Sequence, residues 1–145
     1  AANPARLHHV NSVHGLYLDA ETVGLGPLLA LAALNSVTAL SAEITGRAYG
    51  GGVLKMEPRE AAKLLVPSPE AVRRHRAELE DALPAAKLLL AAGELTAARL
   101  LVDAVLFASD VSERDDLVAI RAAHEKLTQR RRLRARSRSH QGGRP

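Results

Sequence analysis

At 145 residues the chain is sized for one domain, or for a small domain with an appendage. Its hydrophobic fraction of 47% comes mostly from Leu and Ala, and the only aromatics are Tyr17, Tyr49 and Phe107, a balance that favours packed helices over a β-sandwich. The lack of cysteine excludes disulfides and thiolate metal sites. The net charge of +4 is unevenly placed. From Arg130 onward there are seven arginines (130, 131, 132, 134, 136, 138, 144) and no acid; setting these aside leaves 13 of 20 basic residues against 16 acids, a net of −3. The body is therefore mildly acidic. The basic end reads either as a sequence-independent phosphate binder or as a solubilising, disordered tail.

Residues 6–18, RLHHVNSVHGLYL, carry Val10, Val13, Leu16, Tyr17 and Leu18 and predict an extended element, with turns or bulges at Asn11-Ser12 and Gly15. On a strand His8 and His14 share one face and His9 the other. No acid or cysteine nearby completes a metal site, so these histidines read as hydrogen-bonding groups. The opening AANPARLHH is not an apolar run behind positive charges, so no signal peptide is visible. The chain opens without a Met and enters a patterned segment at once, which suggests part of a longer protein.

Pro27 suits the first turn of a buried central helix, with Leu28, Leu29, Leu31, Leu34, Val37, Leu40 and Ile44 around it and Gly46 as its C-terminal cap. Ala32, Asn35, Ala39 and Ala42 form a narrow stripe along which another backbone can approach, with the Asn35 amide bonding to it. Polar residues from Asn35 onward interrupt the apolar run well short of the roughly 20 residues that span a bilayer. The chain reads as soluble, with no membrane partner.

Gly50-Gly51-Gly52 follows, bracketed by Arg47, Tyr49 and Lys55. It fits neither a Walker loop nor GxGxxG. Either it places N–H groups and cations against phosphates, or it is a flexible connection. Val53–Met56 predicts a short strand, Pro58 opens a helical turn, and Leu64–Val66 is a second extended run stopped by Pro67. Ser68-Pro69 starts a helix expected to reach about Leu83, to break or kink at Pro84, and to resume until Gly93. Leu95, Ala98, Leu101, Val102, Val105 and Leu106 mark the next helix. Ser112 and Asp115 form a capping-box-like start for the last, whose core face is Leu117, Ile120, His124 and Leu127. Asp103, Asp110, Asp115 and Asp116 read as helix caps or solvated faces.

Taken together, HHVNSVHGLYL, LLALAALNS and AEITGRAYGGGVLKMEPREAAKLLVP resemble the C-terminal, target-recognition region of bacterial N6-adenine DNA methyltransferases of restriction–modification systems. The resemblance covers residues 7–67 and rests on the Leu-Asn-Ser helix, the Gly-rich stretch and the closing Val-Pro. It implies contact with double-stranded DNA through Arg47, Tyr49, Gly50, Gly51, Gly52 and Lys55, and through His8, His9, Asn11, Ser12 and His14. Such enzymes also carry a Gly-rich S-adenosylmethionine loop and an Asn/Asp-Pro-Pro-aromatic motif that holds the flipped adenine. Here Asn3-Pro4-Ala5 lacks the second proline and the aromatic, so the chain by itself is expected to bind no cofactor or metal and to be catalytically inactive.

The expected fold is α+β and mostly α: a short N-terminal β element, a buried central helix with its Gly-rich loop, an antiparallel helical subdomain and a disordered basic tail. The corresponding divisions are 1–67, 68–136 and 137–145. The expected function is DNA target recognition beside a catalytic methyltransferase domain in cis or in trans, the latter holding S-adenosylmethionine, in a bacterial cytoplasm at the nucleoid. The alternative is a helical protein-interaction module with a nonspecific nucleic-acid-binding Arg-rich tail. A metal-dependent hydrolase built on the histidines and aspartates has little support.

Overall fold

The computed structural model describes residues 15–107 and 111–141, with side chains in the last helix described over 115–135. Of the N-terminal β element, residues 6–14 lie outside this range, and 15–19 form neither helix nor strand. Asp19 accepts from the Thr22 N–H (2.9 Å) and hydroxyl (2.6 Å), closing a turn that leads through a 3-10 segment, Val23–Leu25, into α1, Gly26–Ala32.

The single buried helix expected from Leu25 to Ile44 is instead two helices at 82° to each other, α1 and α2 (Ser36–Thr45). The cause is Asn35. Its backbone is extended, its side-chain oxygen accepts from the Thr38 N–H at 2.8 Å, and its amide donates to the Ala32 carbonyl at 2.7 Å. One side chain thus closes α1 and opens α2, and the preference of Asn for caps overrides the apolar run around it. Its amide serves its own chain, not a second backbone along a stripe. The apolar character follows the break: Leu28, Leu31 and Ala32 are buried, whereas Ile44 is exposed. Among the described residues no single helix is long and apolar enough to cross a membrane.

At Gly46 the chain leaves α2 through a tight passage, where a Cβ would stand 2.8 Å from the Ala42 carbonyl oxygen and 2.9 Å from Leu54 Cδ1. The expected strand is confirmed at Leu54–Lys55 (β2), but it has a partner the sequence did not reveal, Arg47–Ala48 (β1). They pair antiparallel with Arg47 opposite Lys55 and Ala48 opposite Leu54. The glycine triplet is therefore the turn of a hairpin. Pro58 opens α3, Pro58–Ala61, where Glu60 reaches back to the Glu57 N–H at 2.9 Å. Residues 64–66 join no sheet; side chains of α2 hold them, with the Leu65 N–H bonded to Ser41 Oγ at 3.0 Å and its carbonyl to the Thr38 hydroxyl at 2.7 Å.

Ser68 caps α4, Pro69–Arg74, as its Oγ accepts from Ala71. The break then falls at His75, not at Pro84: α5, Arg76–Ala91, runs through the proline. Pro84 is exposed, as is Glu80, whose carbonyl loses its helical donor and can turn to water. Gly93, at φ +80°, ends that segment and α6, Leu95–Phe107, returns beside it. The core joins Leu28, Leu31 and Ala32 of α1 to Val72 of α4, Leu79 and Ala86 of α5, and Val102 and Leu106 of α6, so it draws on both sides of residue 67. Ala32, Ala86 and Ala98 keep the helices close.

The last helix, α7 (Val111–Gln141), has 31 residues and spans about 46 Å. It lies along α2 and over the glycine turn. Leu117 is buried and Ile120, His124 and Leu127 are half-buried. The helix continues to Gln141, past the expected boundary at 136; Arg and Ala are good helix formers. Residues 142–145 lie outside the described range.

Candidate nucleic-acid interface

The hairpin gathers six of the eleven sequence-predicted contact residues. His8, His9, Asn11, Ser12 and His14 lie outside the described residues. Arg47 and Lys55 stand directly opposite each other, an arrangement that repels unless countered. Two carboxylates supply the counter-charge: Glu60 pairs with Arg47, and Glu57 with Lys55 at 2.9 Å. The hydrogen bond to Glu57, then its charge, raises the Lys55 pKa. The Glu57 backbone N–H, then Arg47 itself, holds the Glu60 carboxyl below its ordinary range. Lys55 Nζ also lies 5.3 Å from the centre of the Tyr49 ring, at cation–π distance. The Lys55–Glu57 pair is exposed on both sides, so solvent screens it and a phosphate can replace the carboxylate at small cost, whereas the Glu60 side chain beside the exposed Arg47 is only 12% exposed.

The glycine triplet divides in two. Gly50 and Gly51 are exposed, and a Cβ on either would meet open space. Gly52 is buried at φ +78°, and a Cβ there would stand 3.1 Å from Ala135 Cβ on α7. Its N–H donates to the Tyr49 carbonyl at 3.1 Å, and its own carbonyl accepts from the Arg131 guanidinium. The loop is thus seated at one end and open at the other. It is not a free connection.

Two networks that the sequence reading missed hold this arrangement. Glu43 on α2 accepts from Arg131 through two bonds, 2.6 and 3.0 Å, and from the Thr128 hydroxyl at 2.8 Å. Burial pushes this carboxyl up, but the hydrogen bonds from Arg131 and Thr128, with the charge of Arg131, outweigh it and the pKa is lowered. Deeper in, the Asp103 carboxylate is fully buried and accepts from the Ser36 N–H (2.8 Å), the Ser36 hydroxyl (2.6 Å) and the Arg121 guanidinium (2.7 and 3.0 Å). The expectation that Asp103 is a cap or solvated residue is therefore wrong. Its position among Val102, Ala98 and Leu106 on the buried side of α6 was the available signal. Asp115 and Asp116 are exposed, as expected of a solvated face, and Asp110 lies outside the described residues. His124 is the half-buried boundary residue expected, with Nδ1 at 3.1 Å from Arg99 Nη1; burial, then the charge of Arg99, lowers its pKa.

The sequence model for the C-terminal domain of the Type II methyltransferase M.Eco57I matches residues 1–107. The chain belongs to that family. The match ends with α6, so it covers the hairpin, the Asn35 elbow and the Ser36–Asp103 bonds, while α7, with Arg121 and Arg131, lies beyond it. Neither a curated protein nor a solved structure matches the chain with significance. As a Type II methyltransferase C-terminal domain it has, among the described residues, a helical body and one small hairpin, and the hairpin is where cations, an aromatic ring and open backbone meet.

Proposed function

We propose that this domain contacts duplex DNA for target recognition in an adenine-specific Type II methyltransferase. In this reading S-adenosylmethionine and methyl transfer belong to a catalytic domain acting in cis or in trans, in the bacterial cytoplasm at the nucleoid. The observation that carries it is the exposed hairpin edge, where Arg47, Lys55, Tyr49, Gly50 and Gly51 share one small surface. The cations suit phosphate oxygens, the two open glycines let a backbone come close, and Tyr49 offers a stacking face. Arg59 and Lys63, on and just after the neighbouring helix, border the same shallow depression as Arg47, together with Glu57 and Glu60.

The test is fluorescence anisotropy of a labelled duplex with the 145-residue chain, over a range of salt. Binding should weaken steeply with salt, and Arg47→Ala with Lys55→Ala should lower the log–log slope by about two. Undiminished binding by that double variant would remove the hairpin from the interface. A second reading, a protein-docking module, is favoured by Leu88, Leu90, Leu95 and Leu100, all exposed on the α5–α6 pair. Under it, substituting those leucines would abolish association with the catalytic domain and leave duplex binding unchanged.

A further inference from the structure

The two cations of the hairpin are not equivalent. Directly opposite residues of an antiparallel pair point to one face, so Arg47 and Lys55 share one side of the ribbon and Ala48 and Leu54 the other. Tyr49, two residues beyond Arg47, lies on the cationic side, with the Lys55 ammonium over its ring. Leu54 turns towards the fold, its Cδ1 lying against the exit of α2 at Gly46. One face is therefore seated and the other presented to solvent. The charges presented there balance, Arg47 and Lys55 against Glu60 and Glu57. A surface that only gripped phosphate would gain nothing from two carboxylates. The partners also differ. Lys55 and Glu57 are both about half exposed, and an ammonium is a compact charge that trades one anion for another. Glu60 is largely buried beside the exposed Arg47, and both its oxygens are taken: Oε1 accepts from Arg47 Nε, and Oε2 from the Glu57 N–H at 2.9 Å. Glu60 thus fixes the guanidinium by its Nε end. The other end, Nη1 and Nη2, has no partner among the described residues.

We infer that Arg47 reads a guanine from the major groove, with Glu60 as its positioning residue, so that a G·C pair belongs to the sequence this protein recognises; the inference rests on the DNA-binding reading above. A guanidinium held at Nε presents two terminal N–H donors side by side, and guanine presents two matching acceptors, O6 and N7, on its major-groove edge. No other base offers that pair: adenine sets a donor beside N7, thymine a methyl beside O4, and cytosine a donor. The groove is about 12 Å wide and admits a two-stranded ribbon, whose strands lie about 4.8 Å apart. The ribbon is also seated firmly enough to hold an aim, since the Gly52 carbonyl accepts from Arg131 and Gly52 packs under Ala135. Lys55 keeps the phosphate role. Either residue brings positive charge to the duplex and releases counterions, so salt dependence does not separate the two roles. Sequence preference does.

The experiment incubates the full chain with duplexes randomised at their centre and sequences the bound fraction. It compares wild type, Arg47→Ala, Glu60→Ala, Glu60→Gln and Lys55→Ala, with circular dichroism to establish that each is folded. Wild type should enrich a sequence with a guanine at one position, and Arg47→Ala should lose about five- to 150-fold of the preference there while keeping it elsewhere. Glu60→Ala should lose the same preference although Arg47 is present, and Glu60→Gln, which retains an acceptor for Nε, should recover part of it. Lys55→Ala should enrich the wild-type sequence and bind every duplex more weakly. Replacing the selected guanine by 7-deazaguanine, which lacks the N7 acceptor, should weaken wild type and leave Arg47→Ala unchanged. If Arg47→Ala enriches the wild-type sequence and binds all duplexes less, Arg47 is a backbone contact; the inference is overturned and the hairpin reading stands. If wild type binds duplex without enriching any sequence, or is indifferent to 7-deazaguanine, the guanine assignment fails and duplex binding stands. If wild type binds no duplex, both fall. Full preference in Glu60→Ala would overturn the positioning role of Glu60.

Discussion

Replacing Asp103 by alanine should be the most damaging single polar change in the described part of the protein. The carboxylate is fully buried and receives four hydrogen bonds from two partners, Ser36 and Arg121. Without it, the buried N–H and hydroxyl of Ser36 lose their acceptor, at about 1–3 kcal/mol each. Arg121 loses its partner too, but its side chain is 36% exposed and can turn to water, so this contribution is discounted. The sum is roughly 3–5 kcal/mol, a large part of the total of about 5–15 kcal/mol that holds a typical domain together. For a chain of this size that is a fall in Tm of roughly 10–15 °C. Asp103→Asn keeps one oxygen for the Ser36 N–H and should cost about 2 kcal/mol. Urea titration followed by circular dichroism measures both, with an unchanged m-value as the check that the unfolded state is the same. A cost below about 1 kcal/mol for Asp103→Ala, in the range of ordinary surface substitutions, would refute the buried hub.

Gly52→Ala should destabilise by about 1–2 kcal/mol from its left-handed backbone alone. Its new methyl would also press on Ala135, so limited trypsin digestion should reach the α7 arginines faster, whereas Gly50→Ala should be neutral within about 0.5 kcal/mol. Acid should weaken the fold in two stages. The pKa of His124 is lowered from its ordinary 6.5, so the unfolded chain takes up a proton first and stability is lost as pH falls from 6.5 towards the folded value. The pKa of Glu43 is lowered from 4.5, and its contribution, complete above 4.5, disappears as pH falls through the folded value. Thermal melts of His124→Gln across this range should lose the first stage and keep the second; a profile identical to wild type would refute the assignment.

What the sequence made legible was what short-range chemistry determines. Pro58 and Ser68-Pro69 open helices, Gly93 closes one, and the apolar spacing from Leu95 to Leu106 marks a buried face. These signals act within a turn of the chain. The Asn35 elbow was also local, since Asn followed three residues later by Thr38 is a cap pattern, but the leucines on either side hid it. Other features leave no such trace. The Ser36–Asp103 bond joins residues 67 apart and the Glu43–Arg131 pair residues 88 apart, and no periodicity announces either. The hairpin escaped for another reason: β1 has two residues, and only its register with Leu54–Lys55 makes it a strand.

The elbow at Asn35 turns α2 into a lever. Its short arm, α1, is locked in the core, and its long arm carries the hairpin at its tip and α7 along its side. The ten residues of α2 reach about 15 Å, so a tilt of about 10° at the elbow moves the tip by roughly 2.5 Å, close to the length of a hydrogen bond. The aim of every group on the hairpin is thus set far from it, by one buried amide, by the Glu43–Arg131 ion pair that braces the lever against α7, and by Asp103 of α6, which holds Ser36 at the base of the lever.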